Sequence, residues 1–344
     1  MKKLGYILIA ILLLITLVSC KKDEVEEVPN SDDEVIEEPV EENTKEGLQS
    51  PLSGLYAEEE KVNRRIVGIM FDNHPKARWQ AGLKDAELIY EFPVEAPYTR
   101  YLGFFLINDP EAVGPIRSAR PYFVTKVAEF DAVYVRAGGS AAANQDVKDL
   151  GISDISALSS SYKIFYRIDE KKAPNNLYTS MEAIRAHQQE LGFEETSLVE
   201  GFVFNDDDKD IDGFEARIIS IDYNSQNNTK YIYDVDTKSY LREKDGKAHI
   251  DELDKSQLSA KNIIIQEVNS RLIPNSVSLE IDLVGEGSGK YFTNGKGINI
   301  KWMKEDRKGK TTYYTEDGQE LTLNPGATWI QIVNERAKVI IDQE

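Results

Sequence analysis

The sequence contains only one cysteine and three histidines among 344 residues. A single cysteine excludes an internal disulfide and a zinc site built from several thiolates. The histidines, His74, His187 and His249, are widely spaced and form no His-x-x-x-His pair. We therefore predict no metal and no cofactor, and any chemistry must rest on carboxylates, arginines and hydroxyls.

The N-terminal apolar run is too short to cross a membrane as a helix. It lies within residues 4–18 and has about 15 apolar residues, whereas a spanning helix needs roughly 20. Lys2-Lys3 precedes the run, and Leu17-Val18-Ser19-Cys20 closes it. This order is typical of a bacterial lipoprotein signal peptide. We predict that residues 1–19 are removed and that lipid on Cys20 holds the protein on the outer face of the cell membrane.

Residues 20–50 contain no aromatic side chain and are dominated by Asp and Glu. Such a segment buries too little apolar surface to fold, and its like charges repel one another. It is predicted to be a disordered tether, and it carries roughly half of the formal net charge of −19. Because a nucleic-acid partner requires a basic surface, we expect none.

Residues 51–204 alternate strand patterns with helical patterns. Apolar runs predict strands at 66–71 and 101–107, and helical spacing predicts helices at 121–130 and 179–191. A further short helix is compatible with residues 84–88. These patterns are typical of a mixed α/β domain.

The C-terminal part of the chain has a different pattern. Residues 205–215 are polar and are predicted to form a linker. Residues 216–344 contain many short strand patterns separated by turns such as Asp245-Gly246. The predicted fold class is therefore α+β or α/β, with an N-terminal mixed α/β domain at 51–204 followed by a mostly β C-terminal domain.

Polar residues cluster where the strands of the predicted N-terminal domain end. In α/β folds, groups at the carboxyl ends of strands converge on the crevice that binds the ligand. The candidate ligand-binding residues are Asp72, Asn73, Arg100, Arg117, Ser118, Arg120, Tyr122, Gly138, Gly139 and Ser140.

Arg117 and Arg120 lie three residues apart, where a Gly-Pro turn enters a helical pattern. Their guanidinium groups and the free N–H groups of the helix start could hold a carboxylate or a phosphate. The alternative is that these arginines pair internally with the carboxylates of Asp72, Glu91 and Glu95. The sequence leaves both interpretations open.

The carboxylates allow a second hypothesis, which is glycan hydrolysis. Such enzymes hold two carboxyl groups about 5 to 5.5 Å or roughly 6.5 to 9.5 Å apart. On one extended strand, Glu91 and Glu95 would lie about 13 Å apart at ~3.3 Å per residue, so Asp72 would have to pair with one of them. His74, held extended by Pro75, is a candidate general base, although a structural histidine is the favoured interpretation.

Ser140 follows two glycines, which invites a serine-nucleophile interpretation. The Gly-x-Ser-x-Gly motif is incomplete, because Ala142 occupies its last position. We therefore predict that Ser140 is the N-cap of a helix that starts at Ala141.

Asp208, Asp210 and Asp212 resemble the start of a calcium-binding loop. Ile219 occupies the twelfth loop position, where an EF-hand requires Glu, so an EF-hand is excluded. An acidic linker is the favoured interpretation, and a weak calcium site is the alternative.

Aromatic residues of the C-terminal region have two interpretations. Trp302 and Trp329, with Tyr313 and Tyr314, could form a platform for sugar rings. At strand spacing such residues are more often core, and core packing is the favoured interpretation.

Four motifs resemble the YerB-like bacterial lipoproteins, a family defined by domains of unknown function. The motifs are Phe71-Asp72-Asn73-His74-Pro75-Lys76-Ala77-Arg78, Gly114-Pro115-Ile116-Arg117-Ser118-Ala119-Arg120-Pro121-Tyr122, Ala137-Gly138-Gly139-Ser140 and Leu323-Asn324-Pro325-Gly326-Ala327-Thr328-Trp329-Ile330. The resemblance covers about residues 55–335. It implies an envelope lipoprotein of two adjacent domains, and it implies no established activity.

We expect an extracytoplasmic lipoprotein that binds cell-wall material such as peptidoglycan, or a cell-wall synthesis protein. Arg100, Arg117 and Arg120 are the expected anion contacts in an Arg/Asp/Glu-lined crevice. A peptidoglycan hydrolase that uses the carboxylates is the alternative. The sequence leaves open whether any reaction is catalysed.

Overall fold

The computed structural model describes residues 45–196 and 199–342. The predicted signal peptide, Cys20 and nearly all of the predicted tether lie outside these residues. Within the described ranges, no helix is both long and apolar enough to cross a membrane.

The described residues form four short α-helices and two 3₁₀ turns. The helices are α1 (Glu59–Asn63), α2 (Pro121–Glu129), α3 (Ala141–Asp149) and α4 (Met181–Glu190), and the 3₁₀ turns are Leu83–Asp85 and Ser160–Ile164. Local signals explain where three helices begin: α2 has proline in its first turn, and serine hydroxyls cap α3 and α4.

The remaining elements are short strands. The N-terminal region forms β1 (Leu48–Gln49), β2 (Tyr56–Ala57), β3 (Val67–Asp72), β4 (Leu88–Pro93), β5 (Thr99–Phe105), β6 (Val133–Arg136), β7 (Asp154–Ser156), β8 (Tyr166–Arg167), β9 (Leu177–Tyr178) and β10 (Val203–Phe204). The C-terminal region forms β11 (Phe214–Glu215), β12 (Ile218–Asn224), β13 (Asn227–Asp234), β14 (Ser239–Lys244), β15 (Lys247–Ala248), β16 (Ser259–Ala260), β17 (Asn262–Glu267), β18 (Ser270–Leu272), β19 (Leu279–Ile281), β20 (Gly285–Thr293), β21 (Lys296–Lys304), β22 (Thr312–Thr315), β23 (Thr322–Leu323), β24 (Thr328–Val333) and β25 (Lys338–Asp342).

Strands from both regions join one mixed sheet of eleven strands. Its order is β11-β21-β20-β17-β24-β4-β5-β3-β6-β7, and β22 pairs with β21. The two regions meet where β24 runs parallel to β4, with Ile330 opposite Tyr90. A second sheet of six strands has the order β15-β14-β13-β12-β25, and β16 pairs with β14.

The large sheet is covered on both faces. On one face, Met70 and Leu102 pack with Phe123 of α2. On the other face, Ile69 and Tyr101 pack with Ile221 of β12 in the second sheet. Strands buried on both faces have continuous apolar runs rather than alternating ones, which explains the sequence pattern of β3.

The predicted fold class is confirmed. All four helices lie in the N-terminal region, and the described residues after 215 form strands and turns. The prediction of a short helix at residues 84–88 is wrong, because a 3₁₀ turn ends at Asp85 and β4 begins at Leu88. The domain boundaries at 204/205 and 215/216 stay a prediction.

Candidate functional site

The predicted crevice lies at one edge of the large sheet. Strands β3, β6 and β7 are parallel neighbours, so their carboxyl ends lie side by side. These ends are Asp72, Arg136 and Ser156. Because strand ends in open sheets leave a crevice next to them, a ligand site is expected here.

The segment that follows Gly114 crosses this edge in an extended conformation. The N–H of Arg117 donates to the carbonyl of Met70 at 2.9 Å, and the N–H of Ala137 donates to the carbonyl of Arg117 at 3.0 Å. A Cβ atom at Gly114 would lie 2.8 Å from the carbonyl oxygen of Leu177, so this position needs glycine. The backbone thus fixes Arg117 between the ends of β3 and β6.

Arg117 lines a groove of about 420 Å³. Its Nε lies 3.4 Å from Oδ2 of the buried Asp72, and 28% of the Arg117 side chain is exposed. Asp72 also accepts hydrogen bonds from the Asn175 amide at 2.7 Å and from the backbone N–H of His74 at 3.0 Å. Among the described residues, the two terminal nitrogens of Arg117 have no hydrogen-bond partner. Asp72 therefore orients Arg117 and leaves its guanidinium fork free to bind an anion.

The facing wall of the groove comes from the chain between β7 and β9. Arg167 donates from Nη1 to Oδ1 of Asn176 at 2.6 Å, so it too is held from one side. Leu158 and Tyr162 are 79% and 69% exposed, and Tyr166 is exposed beside them. Two guanidinium groups and several exposed apolar side chains thus line one groove, which is typical of a site for an anion with an apolar or ring-shaped body.

We call this set the Arg117 groove and define it by Arg117, Leu158, Tyr162, Tyr166 and Arg167. Sequence reasoning found only Arg117 among these residues. A signal was available, because three aromatic residues and Arg167 lie within residues 162–167 of a polar loop. This cluster of residues is visible in the sequence, but only the fold brings it to the same groove as Arg117.

The guanidinium groups of Arg100 and Arg120 are paired within the protein. The carboxylate of Glu95 lies 3.2 Å from Nη2 of Arg100 and 2.5 Å from Nη2 of Arg120. Arg100 also donates to the carbonyl of Ser118 at 2.8 Å, and Arg120 donates to that of Ala119 at 2.7 Å. For these two arginines the structure shows the internal pairing that the sequence left open, so their guanidinium groups are less available to an anion than that of Arg117.

Two other candidate residues, Asn73 and Tyr122, are buried and hydrogen-bonded within the protein. Asn73 donates to Oγ1 of Thr99 at 2.7 Å and accepts from Nε of Arg78 at 3.0 Å. Tyr122 is buried in α2 and its hydroxyl donates to the carbonyl of Pro93 at 3.2 Å. Neither side chain has a free polar group that faces the Arg117 groove, because the hydrogen bonds named here occupy them.

The Gly138-Gly139-Ser140 motif has a structural role. Gly138 has a φ of +69°, and a Cβ atom there would lie 2.5 Å from Cδ1 of Leu158. The hydroxyl of Ser140 accepts the N–H of Ala143 at 3.2 Å, as predicted for an N-cap. At Gly139 a Cβ atom would lie 3.0 Å from Nη1 of Arg136. The motif starts α3 and lets Leu158 pack over the backbone at the groove wall.

Glu91 lies inside the protein. Its side chain is 0% exposed and pairs with Arg242 at 2.5 Å and with Lys244 at 2.7 Å, both from β14 of the second sheet. Thr99 and Thr229 donate further hydrogen bonds to the same carboxylate, at 2.6 and 3.2 Å. This network ties the two sheets together and has no access to an external substrate.

The electrostatics of the two glutamates disfavour acid catalysis. Burial alone would raise the pKa of Glu91, but Lys244 and Arg242 outweigh it and lower this pKa to about 2. Burial would also raise the pKa of Glu95, but the charges of Arg100 and Arg120 outweigh it and hold this pKa below its usual range. A glycosidase needs one carboxyl group with a raised pKa. Glu91 and Glu95 lack that property, and neither presents an unpaired carboxylate.

His74 is a partly exposed structural histidine. Its Nδ1 accepts the backbone N–H of Lys76 at 3.1 Å, and its ring centroid lies 4.6 Å from that of Tyr98. Burial is the main cause that lowers the pKa of His74 below its usual value. Asp72, the carboxylate nearest in sequence, bonds the backbone of His74 rather than its ring.

Two further alternatives from the sequence concern a calcium site and an aromatic platform. Asp208 pairs with Lys261 at 2.8 Å, and no three acidic, histidine or cysteine side chains in ranges 45–196 and 199–342 are placed to hold a metal ion. Trp302, Trp329 and Tyr313 are buried, so the sugar-binding platform is wrong and these rings belong to the core.

Comparisons with known proteins agree with the family resemblance. Residues 52–194 match the domain described as "Protein of unknown function (DUF3048) N-terminal domain", and residues 219–330 match the corresponding C-terminal domain. The chain is 33% identical over 294 residues to "Putative lipoprotein YerB" of Bacillus subtilis strain 168, which covers 85% of this chain and 88% of that protein.

A solved structure is similar over most of the chain. The crystal structure of the YerB protein from Bacillus subtilis matches with a TM-score of 0.77 and 32% identity, and the match covers 86% of this chain and all of that one. The N-terminal domain match, residues 52–194, includes all residues of the Arg117 groove. The chain therefore belongs to the DUF3048 family, as a homologue of YerB.

Proposed function

We propose that this protein is an extracytoplasmic lipoprotein, anchored by lipid on Cys20, that binds anionic cell-wall material in the Arg117 groove. The observation that carries the proposal is the guanidinium of Arg117, held by the buried Asp72 while its terminal nitrogens are free. A pre-oriented guanidinium loses little conformational freedom on binding and suits a carboxylate or phosphate.

The other wall of the groove supports a ligand that is more than a simple ion. Arg167 adds a second positive charge, and Tyr162 and Tyr166 add ring surfaces. Cell-wall polymers combine both features, since stem peptides carry carboxylates, teichoic polymers carry phosphates, and glycans carry sugar rings that stack on aromatic side chains. We therefore favour a polymer segment whose anionic group binds between the arginines while its body lies on Tyr162 and Leu158.

The same geometry favours binding over hydrolysis. Asp72, Glu91 and Glu95 all have cationic partners within the protein. An acid catalyst in a glycosidase must hold a proton near neutral pH, and the cationic partners of Glu91 and Glu95 lower the pKa of both carboxyl groups. A hydrolase would thus need catalytic residues other than Asp72, Glu91 and Glu95.

The test is co-sedimentation of the full-length chain, kept in mild detergent, with purified peptidoglycan. Arg117→Ala removes a charged hydrogen bond, commonly about 1.5–3 kcal/mol, which corresponds to at least about tenfold weaker binding. Arg336→Ala is the matched control, because this arginine is exposed and lies 3.7 Å from the carboxylate of its neighbour Glu335. We expect its binding to remain at the wild-type level.

Two further arms identify the ligand. Peptidoglycan stripped of phosphate-bearing polymers separates phosphate recognition from carboxylate recognition. Mass spectrometry of the supernatant detects any released fragment, and fragments that appear with wild type would favour the hydrolase. Equal sedimentation of wild type and Arg117→Ala would contradict the proposed site, and no sedimentation of either would point to a cell-wall synthesis protein as the partner.

A further inference from the structure

A second exposed apolar surface lies on the hairpin formed by β18 and β19. Residues 273–278 connect the two strands. Leu272, Ile273 and Val277 are 50%, 39% and 70% exposed, and all three lie within six residues. Single exposed apolar residues are ordinary, whereas several in one place mark a contact surface. We call residues 272–277 the apolar tip.

The base of this hairpin is held firmly against the body. Leu279 and Ile281 are buried in the core on the helix side of the large sheet. Arg271 bridges to Glu280 at 2.8 Å and to Asp282 at 3.0 Å on the opposite strand. The N–H of Ile273 donates to the carbonyl of Ser278 at 3.0 Å, which closes the turn. The packed base holds the tip in place, and Leu272 and Val277 stay largely exposed, whereas Ile273 also lines a groove beside Tyr122.

The charge distribution indicates what the apolar tip contacts. Residues 268–279 contain no Asp or Glu and one basic residue, Arg271, although the chain has 60 acidic and 41 basic residues. The charged groups Arg271, Glu280 and Asp282 pair with one another at the base of the hairpin, whereas residues 272–278 carry no charge, so the tip can enter lipid without burying a charged group. The hairpin of β13 and β14 differs in this respect, because its exposed Val235 lies between Asp234 and Asp236.

We propose that the apolar tip inserts into the surface of the lipid bilayer on which the protein is anchored. The inference rests on the membrane anchoring in the proposed function. The lipid anchor confines the body near the bilayer, so the tip meets lipid at a high effective concentration and a few aliphatic side chains suffice. This second contact gives the body a defined orientation on the membrane and leaves the Arg117 groove, which shares no residue with the tip, open for its ligand.

The chain offers a clean way to test this contact. Cys20 is the only cysteine and is the predicted lipid attachment site, so one introduced cysteine can be labelled selectively. The full-length lipidated chain carrying Val277→Cys is labelled with an environment-sensitive fluorophore and reconstituted into vesicles of phosphatidylethanolamine and phosphatidylglycerol. Val235→Cys is the matched control, because Val235 is an exposed valine, 57% accessible, in another hairpin connection.

We expect the emission of the label at position 277 to shift to the blue on reconstitution. Brominated lipids should quench it at least about twofold more strongly than the label at 235, because only a probe within the interface contacts acyl chains. Adding Leu272→Ser and Ile273→Ser to the labelled variant should remove the difference. These two positions are exposed, so the substitutions leave the core intact.

Flotation of the same vesicles separates the two proposals. A chain that floats, with equal quenching at 277 and 235, would overturn the tip insertion while the anchoring stands, and would leave the tip as a surface for a protein. A chain that stays at the bottom of the gradient would overturn the anchoring and the insertion together.

Discussion

Replacing Glu91 by Gln removes the carboxylate that neutralises Arg242 and Lys244 inside the protein. The three side chains are all 0% exposed, and the two cations lie 2.5 and 2.7 Å from the carboxylate. Gln keeps nearly the same volume, so packing changes little. The substitution therefore reports the electrostatic role of Glu91 rather than the loss of a buried side chain.

The expected loss of stability follows from two estimates. The pKa of Glu91 falls from 4.5 to about 2, and at about 1.36 kcal/mol per pKa unit this lowering corresponds to about 3 kcal/mol. Removal of one partner from a buried ion pair commonly costs about 3–5 kcal/mol. Lys244 limits the loss, because burial already lowers its pKa to about 8 and it can release its proton when Glu91 is absent. Arg242 cannot, so we expect the free energy of unfolding to fall by about 3–4 kcal/mol at pH 7.

The loss should depend on pH with a defined sign. The pKa of Glu91 is lower in the folded state than in the unfolded state, so its contribution is complete above about pH 4.5 and disappears as the pH falls towards 2. The difference between wild type and Glu91→Gln should shrink over the same range. Urea unfolding monitored by tryptophan fluorescence at several pH values measures this difference.

Glu215→Gln is the control for that experiment. Glu215 is half exposed and lies 3.6 Å from Lys296, so its replacement should change the free energy of unfolding by less than about 0.5 kcal/mol. A cost below about 1 kcal/mol for Glu91→Gln, or a cost that is independent of pH between 2 and 7, would refute the assigned role.

Two further predictions concern stability. Ser140→Ala removes the hydroxyl that accepts the N–H of Ala143, so the free energy of unfolding in urea should fall by about 1 kcal/mol, and an unchanged unfolding midpoint would count against the N-cap. Glu129→Gln leaves the buried ammonium groups of Lys126 and Lys304 without the carboxylate that lies 3.0 Å from each, so a loss of about 3–5 kcal/mol is expected in the same assay; a loss as small as that of Ser140→Ala would contradict a stabilising role for this buried ion network.

Local sequence signals were enough for several elements. The strand at 66–71 is present as β3, shifted by one residue at both ends, and the helix at 121–130 is present as α2, which ends one residue earlier. These signals worked because apolar runs, prolines and serine caps act within a few residues of one another. The helix predicted at 84–88 is wrong. The composition there is compatible with a helix, but Leu88 begins β4, which pairs with β5 and β24.

The sequence by itself determined the fold class, the N-cap at Ser140 and the family resemblance, and its prediction of a site at the strand ends stays a prediction. Only the tertiary structure decided which charged groups are free. Arg117 and Arg120 are three residues apart, yet Glu95 and the carbonyl of Ala119 occupy Arg120 while Asp72 holds Arg117 from one side alone. The partners of Glu91 lie 151 and 153 residues away on another sheet. Electrostatic pairing depends on distance in space, so no local pattern of residues could assign these partners.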